Sequence, residues 1–180
     1  MLGRLLSVLL ILSGTGPGTA MAATPQRAAP TDAASPAALA TVETRLRRLE
    51  DEHAIGNLLL DYGRTLDARD FTAYAALFAA DGEWKGALGT FKGPKDIQAA
   101  MERIFAAATD IPKGQNFHAM SNFAITVQGD RATARSNFVF YRMEGNKPLA
   151  EVAGRYEDTL VRVGGVWKFQ QRNALPPGTP

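Results

Sequence analysis

The sequence predicts an α+β domain, with helices first and an antiparallel sheet after them. Three observations carry this. Apolar residues recur at helical spacing early in the chain, as Leu46, Leu49, His53, Ile55, Leu58, Leu59 and Tyr62 do. From Phe117 onward the period changes, and β-branched and aromatic residues dominate. Two turn signals, Gln128-Gly129-Asp130 and Gly164-Gly165, join strand-like runs. Helices followed by a meander place the chain in the α+β class.

Taken in order, the first helix is expected over Ala38–Leu66, its run from Arg45 to Glu52 forming a solvated, charge-paired face. His53, within that charged surroundings, reads as a surface residue. A second helix runs from Phe71 to about Phe78 and stops at the Asp81-Gly82 turn pair. Pro94 suits the first residue of a third helix that reaches Ala107, with Pro112 and Gly114 ending the helical region. Glu83–Phe91 supplies one strand. Phe117–Val127 and Ala132–Tyr141 form a hairpin, and Glu151–Val163 turns into Val166–Gln170.

Composition bounds the chemistry. The 180 residues hold 46% hydrophobic and 21% charged residues, globular proportions with enough apolar side chains for one core. Twenty Lys and Arg against 18 Asp and Glu leave +2, which argues against nucleic-acid binding driven by charge. Cysteine is absent, so disulfides, thiolate zinc sites and cysteine nucleophiles are excluded. Two histidines are too few for a multi-histidine metal centre, and no metal ligands are assigned.

The N-terminus reads as an export signal. Arg4 gives a positive start, Leu5–Leu12 an apolar run, and Ala20-Met21-Ala22 a small-residue cleavage pattern. The run is about half the ~20 residues a membrane span needs, so no stable membrane anchor is expected. Residues 1–22 are therefore assigned to a signal peptide, 23–37 to a flexible linker, 38–173 to the folded domain and 174–180 to an irregular tail. The mature protein is expected to begin near Ala23, in the periplasm or outside the cell.

Several short motifs, taken in order, carry a resemblance. They are Ile55-Gly56-Asn57 through Asp61-Tyr62, Leu66-Asp67-Ala68-Arg69-Asp70-Phe71, Phe91-Lys92-Gly93-Pro94, His118 with Asn122, Gly154-Arg155-Tyr156, and Arg162 before Gly165-Val166-Trp167. Together they resemble the SnoaL-like proteins of the nuclear transport factor 2-like superfamily. The resemblance implies a cone-shaped α+β barrel, three N-terminal helices packed on a strongly curved, mainly antiparallel sheet, with a pocket at the wide end. Members resembling scytalone dehydratase and hexachlorocyclohexane dehydrochlorinase carry an aspartate closing the first helix and a histidine opening a central strand. Asp67 and His118 stand at the matching positions. Tyr62 replaces the dehydrochlorinase-type lysine and Leu66 the dehydratase-type tyrosine, so neither specific reaction carries over.

A histidine whose ring is held by a carboxylate suits proton abstraction, followed by elimination or isomerisation. The competing reading makes His118 a core residue and Asp67 a helix cap. Around this pair, His118, Met120, Asn122 and Ala124 are expected on one strand face, with Asn137, Val139 and Tyr141 opposite on that same face. Phe123, Ile125, Phe138 and Phe140 would then lie on the outer face and drive a homodimer, with a trimer as the alternative. Tyr62 either donates into the pocket or packs with Leu58 and Leu59; Trp84 either lines the mouth or joins the core. Trp167 packs under the last strands, and Arg162 forms an ion pair or reaches a substrate anion.

The leading functional expectation is thus an exported, cofactor-free lyase or isomerase acting on a small, largely apolar molecule. The alternative is a non-catalytic small-molecule-binding or assembly module on the same fold. A third reading, the small subunit of an aromatic-ring oxygenase, fits poorly with export.

Overall fold

The computed structural model describes Ser35–Gly178. The proposed signal peptide and most of the linker lie outside the described residues. The elements are α1 (Pro36–Asp67), α2 (Phe71–Ala76), β1 (Phe78–Gly86), β2 (Gly89–Lys92), α3 (Gly93–Ala107), β3 (Asn116–Gln128), β4 (Arg131–Glu144), β5 (Lys147–Val163) and β6 (Val166–Leu175). The fold is the α+β arrangement expected, with helices packed on one curved, open six-stranded sheet. Its strand order is β2-β1-β6-β5-β4-β3. Every neighbouring pair is antiparallel except β1–β6.

Local chemistry sets the boundaries. Ser35 caps α1, its Oγ accepting from the Ala38 amide at 3.2 Å, and Pro36 occupies the first turn, where its missing N–H costs nothing. Asp70, not Asp67, is the cap of α2, accepting from the Ala73 amide at 2.9 Å. The helix expected to reach Phe78 ends at Ala76, because Phe78 enters β1, pairing with Phe169. The single strand expected over Glu83–Phe91 is a hairpin, β1 and β2, turning between Gly86 and Gly89. α1 begins two residues before the expected domain start, and β6 runs two past its expected end.

The core lies between the helices and the concave sheet face. Ile55, Leu58, Leu59, Tyr62 and Leu66 from α1 meet Ile97 and Met101 from α3, and Ala134, Phe138, Tyr156, Leu160, Trp167 and Phe169 from the sheet. The first fifteen residues of α1, Pro36–Glu50, are exposed throughout, and the helix joins the domain only at Asp51.

The hairpin β3–β4 corrects the expected face assignment. At its tip Gln128 pairs with Arg131, as a two-residue turn at Gly129-Asp130 requires, and Gly129 has φ +60°. Between Ser121 and Ala124, however, the register slips by one residue. Asn122 takes φ +55° there, the left-handed conformation that Asn tolerates better than most residues. Beyond this bulge His118 pairs with Phe140 and Met120 with Phe138. Asn137, Val139 and Tyr141 pair instead with Ser121, Ala119 and Phe117 on the opposite, outer face. Ile125, Phe138 and Phe140, expected outside, lie inside: Phe138 is buried in the core, Ile125 packs against it, and Phe140 neighbours His118. The outer face instead carries the stacked rings of Phe117 and Tyr141, 4.8 Å apart.

Candidate functional site

Asp67 is the last residue of α1, and His118 is the third of β3. The chain leaves α1 through Arg69, which adopts φ +57°. Asn116 and His118 alternate onto one face of β3, so both reach Asp67. His118 Nδ1 lies 2.7 Å from Asp67 Oδ1. The His118 amide donates to Oδ2 at 2.8 Å, and Asn116 Nδ2 donates to Oδ1 at 2.8 Å. Three groups thus fix the carboxylate, while His118 Nε2 makes no hydrogen bond among the described residues. The two side chains are 7% and 19% exposed, His118 and Asp67 in that order, so the pair is shielded yet not sealed.

The network extends outward. Arg69 Nη2 donates to Asn116 Oδ1 at 2.9 Å and to the Ile111 carbonyl at 3.2 Å, and its guanidinium lies 3.7 Å from the centre of the Phe105 ring. Burial lowers the Arg69 pKa, with the Asp67 charge opposing that effect. Arg69 also lines an open groove of about 490 Å³ with Phe71, Phe105, Ile111 and Lys113. Beneath the dyad sits Gly63, where a Cβ would fall 3.3 Å from His118 Cβ. Its hydrogen lets α1 and β3 approach closely enough for Asp67 to reach the ring.

The other sequence-nominated residues divide clearly. Met120 shares the inner face with His118. Asn122 sits in the exposed bulge, and Asn137, Val139 and Tyr141 are on the far face of the sheet from His118. Tyr62 and Trp84 are core residues, Trp84 Nε1 donating to Tyr62 Oη at 2.9 Å. Trp167 is buried, its Nε1 donating to Asp51. Arg162 bonds Asp51 at 2.6 Å and Asp130 at 3.0 Å, so it ties α1 to the β3–β4 turn. His53 is exposed and pairs with Asn57 on its own helix.

Sequence reasoning missed two polar clusters. Asp51, expected in the solvated run, is buried. Burial works against its charge, but the Arg162 and Trp167 hydrogen bonds and the neighbouring arginine charges outweigh this and lower its pKa. Asp51 stands four residues before Ile55, on the core stripe, and that spacing is the signal that marks it. The second cluster is Arg172 with Asp158, a two-bond fork at 2.8 and 2.7 Å with both side chains 0% exposed. The rings of Tyr62, Tyr156 and Phe169 enclose the guanidinium at 4.0 to 4.2 Å. Burial alone would lower the Arg172 pKa; the Asp158 charge and hydrogen bonds overcome it and raise it. A register slip between Phe169 and Gln171 turns Arg172 inward, which alternation from Trp167 does not predict.

Among the described residues no group of three or more His, Cys, Asp or Glu is placed to hold a metal ion, and no helix is long and apolar enough to cross a membrane.

Comparison with known proteins agrees with the fold. The SnoaL-like domain family matches residues 47–173, and the chain belongs to that family. An NTF2-like protein with a cystatin-like fold from Novosphingobium aromaticivorans superposes with a TM-score of 0.68 at 28% identity, covering 78% of this chain and 92% of that one. LinA superposes at 0.63 with 26% identity, covering 76% of this chain and 95% of its own. A putative scytalone dehydratase from Novosphingobium aromaticivorans gives 0.61 at 26% identity, covering 74% and 97%. No curated protein matches the chain.

Proposed function

We propose that the protein is a lyase or isomerase that removes a proton from carbon on a small, largely apolar organic molecule. The observation that carries this is the Asp67–His118 pair, with Nδ1 bound and Nε2 unengaged. The carboxylate holds the ring with its proton on Nδ1 and stabilises the imidazolium formed when Nε2 accepts the substrate proton. The C–H electron pair then forms a double bond. In an elimination the leaving group departs with its own pair; in an isomerisation the proton returns at another carbon. Neither course requires a redox or group-carrying cofactor. Likeness to LinA and to a putative scytalone dehydratase supports this reaction class. Reading residues 1–22 as a signal peptide places the activity in the periplasm or outside the cell.

The test is proton exchange in D2O across a panel of cyclic carbon acids, with elimination products followed by mass spectrometry. The wild-type protein should catalyse exchange or elimination on at least one compound. His118→Ala should lose about 10²–10⁴-fold of that rate. Binding of the panel without exchange, unchanged in His118→Ala, would instead establish a non-catalytic binding module.

A further inference from the structure

α1 carries two apolar stripes. Ile55, Leu58, Leu59, Tyr62 and Leu66 face the core. Leu39, Val42, Leu46 and Leu49 lie on the part of the helix that stands free of the domain and are 51% to 63% exposed. At about 100° per residue, the second stripe points roughly 160° away from the first, so the domain's own core cannot cover it. Its spacing of three, four and three residues is the a/d pattern of a coiled coil.

We infer that the N-terminal part of α1 is a pairing helix whose partner is the same segment of a second copy, aligned parallel and in register. Charge selects this occupant. With Leu39 and Leu46 at a and Val42 and Leu49 at d, Arg45 falls at g and Glu50 at the following e. In a parallel pair each Arg45 meets the partner's Glu50, twice over by symmetry. Neither residue has an ion-pair partner in its own chain among the described residues. An antiparallel pair sharing the same four apolar layers sets Glu43 near its own copy and Arg45 near its own copy, like charge against like. Two heptads of free peptide are too short to form such a pair, because helix nucleation is costly. Here the domain and the Ser35 cap already hold the helix, so association need only bury the stripe.

The test is sedimentation equilibrium of the exported protein. The expected result is a monomer–dimer equilibrium with a Kd on the order of 10–100 µM, as suits a small interface. Leu46→Glu with Leu49→Glu should weaken it about 100-fold or more while leaving the circular dichroism of the domain intact. Arg45→Glu should weaken it about threefold to tenfold, and adding Glu50→Arg should restore it. Because the chain has no cysteine, Leu49→Cys should form an intermolecular disulfide under mild oxidation, confirming parallel alignment. A monomer throughout that range, or a dimer indifferent to Leu46→Glu with Leu49→Glu, would overturn the inference, the latter by placing the interface elsewhere, such as the outer sheet face. Failure of the charge reversal to restore pairing would overturn the parallel register.

Discussion

Two of the acid–base pairs in this domain, Asp158–Arg172 and Asp67–His118, do opposite things. Asp158–Arg172 is sealed: both side chains are fully buried, the fork is two-pronged, and three aromatic rings enclose it. An arginine does not give up its proton in a protein, so this pair cannot do proton chemistry. Asp67–His118 is only shielded, and one ring nitrogen is left without a partner among the described residues. A buried ion pair is therefore no sign of a reaction site by itself. What distinguishes the second is an unengaged atom that can change its protonation.

The largest effect expected from this contrast is on stability. Arg172→Met leaves Asp158 unpaired in the core, where burial raises its pKa, and should cost about 3–5 kcal/mol, read by urea denaturation. Adding Asp158→Leu should recover most of it, since the pair is replaced by apolar bulk. His118→Ala should cost only about 1 kcal/mol, because Asn116 and the His118 backbone amide still hold Asp67. Equal losses at both pairs would dissolve the contrast.

A smaller effect is expected at Asp51. Its folded-state pKa lies below its unfolded value, so its contribution is present above about pH 4 and disappears as pH falls through the folded value. Asp51→Asn should be less stable than wild type at pH 6. The two denaturation curves should converge as the pH is lowered toward 2. A gap that stays constant with pH would show that Asp51 acts by packing rather than by charge.

Gly63→Ala should change stability least, within about 1 kcal/mol. Added helix propensity offsets the crowding of a new methyl 3.3 Å from His118 Cβ. Turnover should fall several-fold as β3 moves away from Asp67. Unchanged turnover would mean that the dyad does not depend on this close approach.

Much of the fold was legible because periodicity reports which face is buried. The α1 stripe follows from that rule, while the start of α3, at Gly93 just before the expected Pro94, and the β3–β4 turn at Gly129 follow from proline and glycine backbone preferences. Asp67 and His118 were legible only through family resemblance, since residues 51 positions apart leave no local signature. The wall residues were misplaced by one bulge: counting back from the Gly129-Asp130 turn without it sets Tyr141 beside His118. Asn122, the residue that accommodates that bulge, was in view but was read as a pocket side chain. Arg172 and Asp158 were hidden because a charged side chain in a strand is ordinarily assigned to solvent; Asp158 keeps the alternation of Tyr156 and Leu160, and the second slip turns Arg172 inward to meet it.

The central claim is that Asp67 holds His118 with Nδ1 protonated and Nε2 free to accept a proton. Nitrogen-15 NMR of the imidazole rings tests it directly and needs no substrate. With only two histidines, His53→Ala leaves a single ring to observe. In its neutral form His118 should show the Nδ1–H tautomer, and Asp67→Ala should shift it toward the commoner Nε2–H form. A neutral His118 with its proton on Nε2 in the wild-type protein would contradict the claim, because that nitrogen could not then act as the base.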